Sequence, residues 1–152
     1  MSKKSPPHQV DEEIQFSCFY LGETLCGLDI RMVQEINDEI SITQVPLSPD
    51  YVVGILNLRG QIITVIDQSR KIGLGISQID YTSRIIIVRS SRDYVGLLVD
   101  KLAEVITINK SGIAKPPSNV NGIQGSFFYG VVHTHNNELL GLLNLDKLLS
   151  ED

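Results

Sequence analysis

Between Val52 and Asp67 the chain reads V-V-G-I-L-N-L-R-G-Q-I-I-T-V-I-D, two apolar arms that turn back at Arg59-Gly60. β-Branched residues dominate both arms, so each is predicted to be a strand buried on both faces, which puts the hairpin inside a core. Gly60 can take the positive φ of a tight turn, and Arg59 beside it must leave the apolar layers at an exposed tip. Exposure alone gives Arg59 no role, because turn residues are polar wherever turns meet water.

The same reading along the chain predicts short strands almost throughout. Ile14 to Leu21 and Leu25 to Ile30 make a strand pair, and Met32 to Asn37 alternates as a third strand. Pro46 and Pro49 punctuate the loop before the central hairpin. Gln68 to Ile72 is predicted to form one or two helical turns stopped by Gly73, followed by a polar connector from Gly75 to Tyr81. Beyond it come Arg84 to Arg89, Tyr94 to Val99, Leu102 to Ile108, Phe127 to His133 and Glu138 to Leu143, with a turn at Asn136-Asn137. Asn144 can cap a last short helix, Leu145 to Ser150.

The two halves resemble each other. C-G-L-D-I-R-M-V-Q-E-I from Cys26 matches V-G-L-L-V-D-K-L-A-E-V from Val95, an offset of 69 that sets Gly27 over Gly96. P-D-Y-V-V-G-I from Pro49 matches P-S-N-V-N-G-I from Pro117 at an offset of 68. Each half has about five short strands, which suits a small closed barrel. The expected fold is therefore all-β: two five-stranded barrels packed side by side with a groove between them and a short C-terminal helix. The halves would cover approximately residues 14–76 and 82–150, after a disordered tail over 1–13 that carries Pro6-Pro7 and charges with few apolar residues.

A length of 152 residues allows one domain with a sizeable core, and 42% hydrophobic against 20% charged residues excludes wholesale disorder. A net charge of −5 without a basic stripe makes nucleic acid an unexpected partner. No apolar run reaches membrane-spanning length and the start of the sequence lacks the apolar core of a secretory signal, so neither membrane insertion nor export is expected and the predicted location is cytoplasmic. Cys18 and Cys26 flank a turn at Gly22-Glu23-Thr24 and are either diagonal neighbours or on opposite faces, so both are read as reduced packing residues.

A search for chemistry finds little. His133 and His135 form an H-x-H pair that a strand would turn to one face, but the remaining histidine is His8 in the tail, so solvated strand-end histidines are the better reading than metal ligands. Asp67, Ser69 and the histidines lack the G-x-S-x-G elbow that would raise a serine above a sheet. Gly73-Leu74-Gly75 is too sparse for a phosphate cradle. Asp29, Asp100, Glu35 and Glu104 are related by the repeat or lie near related positions, yet form no pair at a defined separation. No catalytic residue, metal or cofactor is expected.

V-Q-E-I at Val33 to Ile36, V-V-G-I-L-N-L-R-G at Val52 to Gly60 with V-I-D at Val65 to Asp67, and Y-V-G-L-L-V-D-K-L at Tyr94 to Leu102 resemble the signature blocks of the CheW-like chemotaxis coupling proteins. The ending L-L-N-L-D-K-L-L, Leu142 to Leu149, is similar to that family's ending, and the resemblance covers about Ile14 to Ser150. It implies two SH3-like barrels around a shared apolar interface. It also implies a non-enzymatic adaptor joining the cytoplasmic tips of chemoreceptors (methyl-accepting chemotaxis proteins) to the regulatory domain of the histidine kinase CheA. Carried over residue by residue, partner contacts fall on Val33, Glu35 and Ile36 of the third strand. Arg59 and Gly60 would form a separate contact at the hairpin tip, and Gly54 and Gly96 would support these surfaces by close backbone approach.

This chain departs from the family in having Thr64-Val65 before the aspartate and Gln68 after it, where Pro-Val and leucine are usual. Adaptors of related pathways such as pilus-driven motility share the same blocks. A nucleic-acid or small-ligand barrel is the reading from a different class, disfavoured by few aromatics and by the charge.

Overall fold

A computed structural model of the chain describes residues 12–38, 41–75, 77–90 and 93–150. Its strands are β1 (Glu13–Leu21), β2 (Thr24–Asp29), β3 (Val33–Asn37), β4 (Val52–Leu58), β5 (Gln61–Asp67), β6 (Arg84–Arg89), β7 (Tyr94–Val99), β8 (Lys101–Asn109), β9 (Asn119–Val120), β10 (Ile123–Gln124), β11 (Phe128–His133) and β12 (Leu139–Leu143). Two short helices, α1 (Gln68–Lys71) and α2 (Leu145–Leu149), follow β5 and β12. The fold is thus mostly β, as the alternation of β-branched residues predicts. The first strand opens at Glu13, inside the tail expected over 1–13, and residues 1–11 of that tail lie outside the described residues. Among the described residues no helix is long and apolar enough to cross a membrane.

One five-stranded sheet runs β11-β12-β2-β1-β8, the other β4-β5-β7-β6-β3, and β9 pairs with β10. The sheets do not divide where the sequence does: each takes strands from both of the stretches 14–76 and 82–150. The β1–β2 hairpin lies with β8, β11 and β12, and β6–β7 lies with β3, β4 and β5. The reason is at the strand junctions. Only a 3-10 turn, Ile30–Met32, separates β2 from β3, and only Asp100 separates β7 from β8. Neither junction has residues that reverse the chain, so each strand bends and runs on into the opposite sheet.

The repeat survives this exchange. Gly27 pairs with Cys18 and, in parallel, with Leu142; Gly96 pairs with Ile87 and, in parallel, with Val65. A β-carbon on Gly27 would meet Leu140, Leu142 and Phe16, while one on Gly96 would meet Ile63, Val65 and Ile85, the matched side chains. The second sequence match does not hold. The counterpart of Gly54 is Gly130, since each stands beside a register shift and next to a bridge, Thr43 with Ile55 and Ala114 with Val131. Gly122, which the offset of 68 set over Gly54, has φ 93° in the β9–β10 turn, and Pro117 leads into that small hairpin. Pro, Asn and Gly recur in unrelated turns for the same conformational reasons, which produced the coincidence.

Three apolar clusters hold the sheets. Leu56, Ile63, Val65, Ile85, Ile87 and Leu98 fill one side of the β4–β3 sheet, and Phe16, Cys18, Leu25, Ile108, Leu140 and Leu142 fill the matching side of the other. Between the sheets, Phe19, Leu21, Cys26 and Leu28 meet Ile86, Val88, Leu97 and Val99, with Leu145 and Leu148 of α2. Successive residues of β6 therefore alternate between two cores, and the strand is apolar without interruption. β4 and β5 differ from the expectation of two buried faces: β4 is an edge strand, and Ile62 on β5 is 61% exposed. The doubly buried centres are β2 and β7, each flanked by a hairpin partner on one side and a parallel strand on the other.

Gln68, a departure from the family pattern, is fully buried at the start of α1. Its Nε2 donates to the Leu98 carbonyl at 3.4 Å. Asp67 before it is spent on structure: its carboxylate accepts the Ser77 N–H and hydroxyl, both at 2.9 Å, and caps α1 through the Arg70 N–H. Those bonds pin the connector that leads to β6.

Candidate functional site

Two of the blocks quoted above, Val33 to Ile36 and Asn57 to Gly60, meet at one corner of the β4–β3 sheet. β3 pairs with β6 through a one-residue bulge, the register passing from Val33–Val88 to Glu35–Ile87. A bulge re-aims the side chains after it. Glu35 comes out half-buried and Ile36 is 41% exposed, while Val33 packs partly into the inter-sheet core.

At the other edge of the sheet, β4 and β5 turn at Arg59 and Gly60, whose φ values of 51° and 86° are both positive, the signature of a type I′ hairpin. From the sequence, a positive φ is predicted for Gly60 alone. The Gly60 N–H donates to the Asn57 side-chain oxygen at 3.2 Å. Arg59 projects from the tip, and its Nη2 forms an ion pair with Glu35 Oε1.

That pair decides the geometry. β3 and β4 are opposite edges of a five-stranded sheet, and four strand spacings of about 4.8 Å would hold them about 19 Å apart if the sheet were flat. Two side chains meet across that distance only because the sheet curls. The chain leaving β3 helps, since Thr43 exchanges backbone hydrogen bonds of 2.9 and 2.8 Å with Ile55 on β4. Gly54 beside this bridge is buried and leaves no room for a side chain, and Gly96 is similarly enclosed by Ile85 and Val65. Both glycines act inside the sheet, beneath the surface. The hairpin tip, expected as a contact separate from the strand patch, is joined to that strand through Glu35.

Other candidates resolve differently. His133 and His135 are exposed, and among the described residues no group of three His, Cys, Asp or Glu side chains could hold a metal ion. Cys18 and Cys26 are unbridged and buried on opposite faces of the β1–β2 pair; burial pushes the Cys18 thiol up to about 11 and raises Cys26 as well. Asp29 caps the turn before β3, and its hydrogen bonds from Arg31 hold its carboxyl below the usual range against the opposing effect of burial. Grooves lie beside both short helices. One of about 650 Å³ lies by α1 and is lined by Tyr20, Ser69, Leu74, Asp100 and Lys101; the other, about 670 Å³, lies by α2 and is lined by Tyr51, Ile66, Lys71, Arg89 and Leu149.

Comparison with known proteins agrees with this architecture. The model of the CheW-like domain matches residues 15–152. The chemotaxis protein CheW of Treponema pallidum is 32% identical over 144 residues, 92% of this chain and 84% of that protein. The chemotaxis protein CheW of Helicobacter pylori is 30% identical, with 93% and 85% covered. In three dimensions the scaffolding protein TtCheW from Thermoanaerobacter tengcongensis matches with a TM-score of 0.84 and 36% identity, over 98% of this chain and 96% of that one. A family match spanning both interleaved sheets, with similarity over nearly the whole length, means that the chain belongs to the CheW-like family.

Proposed function

We propose that this protein is a non-enzymatic adaptor of bacterial chemotaxis, joining the cytoplasmic tips of chemoreceptors to the regulatory domain of the histidine kinase CheA. The reading puts it in the cytoplasm, and its work is done through protein contacts. The observation that carries it is the Arg59–Glu35 pair on an exposed corner, with Ile36 exposed at the next position of the same strand on the other face of the sheet. An ion pair open to solvent adds only about 0.2–1 kcal/mol to stability. An arginine held in place by such a partner is, by contrast, a common anchor of protein interfaces. Val33, Glu35, Ile36, Arg59 and Gly60 form this contact surface, and Gly54 and Gly96 set the backbone beneath it.

The test is titration of wild type, Arg59→Ala and Glu35→Ala against a receptor-tip fragment and the isolated kinase regulatory domain, with single-stranded nucleic acid as a control ligand. Wild type should bind both proteins and ignore the nucleic acid. Arg59→Ala should weaken at least one complex by about 2 kcal/mol, roughly thirtyfold, while its melting temperature stays close to wild type. Because the two side chains form one unit, Glu35→Ala should weaken the same complex, and the double variant should be no worse than either single one. Failure of wild type to bind either protein would overturn the adaptor reading. Normal binding by Arg59→Ala would remove this corner from it.

A further inference from the structure

Two hairpins of this chain close on the same device. In the β9–β10 turn, Asn119 Oδ1 accepts the Gly122 N–H at 2.9 Å, and the central residues Asn121 and Gly122 have φ of 50° and 93°. In the β4–β5 turn, Asn57 Oδ1 accepts the Gly60 N–H at 3.2 Å, and Arg59 and Gly60 have φ of 51° and 86°. The sequences are N-V-N-G and N-L-R-G. At the first left-handed position they differ in a telling way. Asparagine visits that region readily, whereas the β-carbon of an arginine crowds the following carbonyl oxygen there.

An arginine in this place therefore needs its turn to be held from outside, or the backbone drifts toward an ordinary right-handed turn. Such a turn would splay the strands and swing the arginine side chain away from its present direction. The direction matters, because Arg59 has to reach Glu35 on the opposite edge of the sheet. Asn57 is placed to do the holding. Its side-chain oxygen engages the one backbone donor of the tip that follows Arg59, a local bond of the kind that fixes turns.

We propose that Asn57 is a positioning residue: by bonding Gly60 it keeps Arg59 in the left-handed region and so keeps the guanidinium on Glu35. The claim about binding rests on the adaptor reading above, whereas the claim about geometry does not. Asn57 acts through Arg59 and makes no contact with a partner.

The experiment has two arms on the full chain. In the first, NMR follows the Gly60 amide and the Arg59 guanidinium. Asn57→Ala should speed Gly60 hydrogen exchange and move the guanidinium signals to where Glu35→Ala puts them, with the melting temperature nearly unchanged. Asn57→Asp, which keeps an acceptor oxygen, should leave the Gly60 protection in place. Guanidinium signals that stay at their wild-type positions in Asn57→Ala would overturn the proposal whatever the binding result. In the second arm, Asn57→Ala should weaken the kinase-domain or receptor-fragment complex that Arg59→Ala weakens, by roughly tenfold, and have no further effect in the Arg59→Ala background. An equal loss in both backgrounds would mean direct contact and would refute positioning. If Arg59→Ala binds normally while the NMR arm behaves as expected, the positioning of Arg59 stands and the contact reading of this corner falls.

Discussion

Replacing Gly54 by alanine tests how the two edges of the β4–β3 sheet are drawn together. A β-carbon on Gly54 would stand 2.8 Å from the Thr43 carbonyl carbon, closer still to its oxygen, and 2.6 Å from Ile42 Cγ2. Its φ of 156° is one that residues with side chains seldom adopt. The carbonyl is not free to retreat, because it accepts the Ile55 N–H at 2.8 Å while Thr43 donates to Ile55 at 2.9 Å. Losing both bonds costs about 2 kcal/mol. Forcing a methyl into filled space adds about 1–3 kcal/mol, and the stiffer unfolded chain of alanine offsets about 0.4–1 kcal/mol. The net loss is about 3 kcal/mol, which lowers Tm by roughly 6–12 °C in a chain of this size. Gly130 is the built-in control. A β-carbon there would be 3.2 Å from the Ala114 oxygen and would overlap the Ile113 Cγ2 methyl. A side chain yields more easily than a paired carbonyl, so Gly130→Ala should cost about 1–2 kcal/mol. Circular dichroism melts and urea titrations of the three proteins measure this. A Gly54→Ala protein melting within about 2 °C of wild type, or a Gly130→Ala protein damaged more, would refute the reasoning.

Two further outcomes follow from buried groups. Gln68 Oε1 is buried without a hydrogen-bond partner, so Gln68→Leu should be stabilising by about 1 kcal/mol, a rise in Tm of about 2–4 °C by calorimetry; a lower Tm would contradict this. The Cys18 thiol, pushed up to about 11 by burial, should react far more slowly with a thiol reagent at about pH 8 in the native chain than in urea. In the unfolded chain that thiol loses its proton near pH 8.5. Its contribution to stability is therefore complete below that pH and is lost as pH rises toward 11, a slope in the urea midpoint that Cys18→Ala should reduce. Rapid native labelling, or a slope unchanged by the substitution, would count against it.

Strand content was legible because alternation is a property of neighbours in the chain: β1, β2, β6, β7 and both hairpin arms fall within a residue or two of their expected bounds. The β9–β10 hairpin escaped because strands of two residues cannot alternate, although V-N-G-I carries its turn. The five candidate contact residues were named through resemblance, but nothing in the residues themselves showed that Arg59 reaches Glu35. The signal that was available and unused is the N-x-x-G spacing, which marks Asn57 as well as Asn119.

The sequence by itself determined the strand content, the turn at Arg59-Gly60 and the duplicated unit with its matched Gly27 and Gly96, since each depends on residues close together or on a repeat visible as text. Only the tertiary structure decided that the units exchange their first hairpins, that Gly130 answers Gly54, and that Glu35 meets Arg59 across 24 positions of sequence. The twelve strands among the described residues, similar in composition, can pair in many ways. The choice among them is made by the shared core between the sheets and by the crossings at Ile30–Met32 and Asp100, long-range terms with no signature in local sequence.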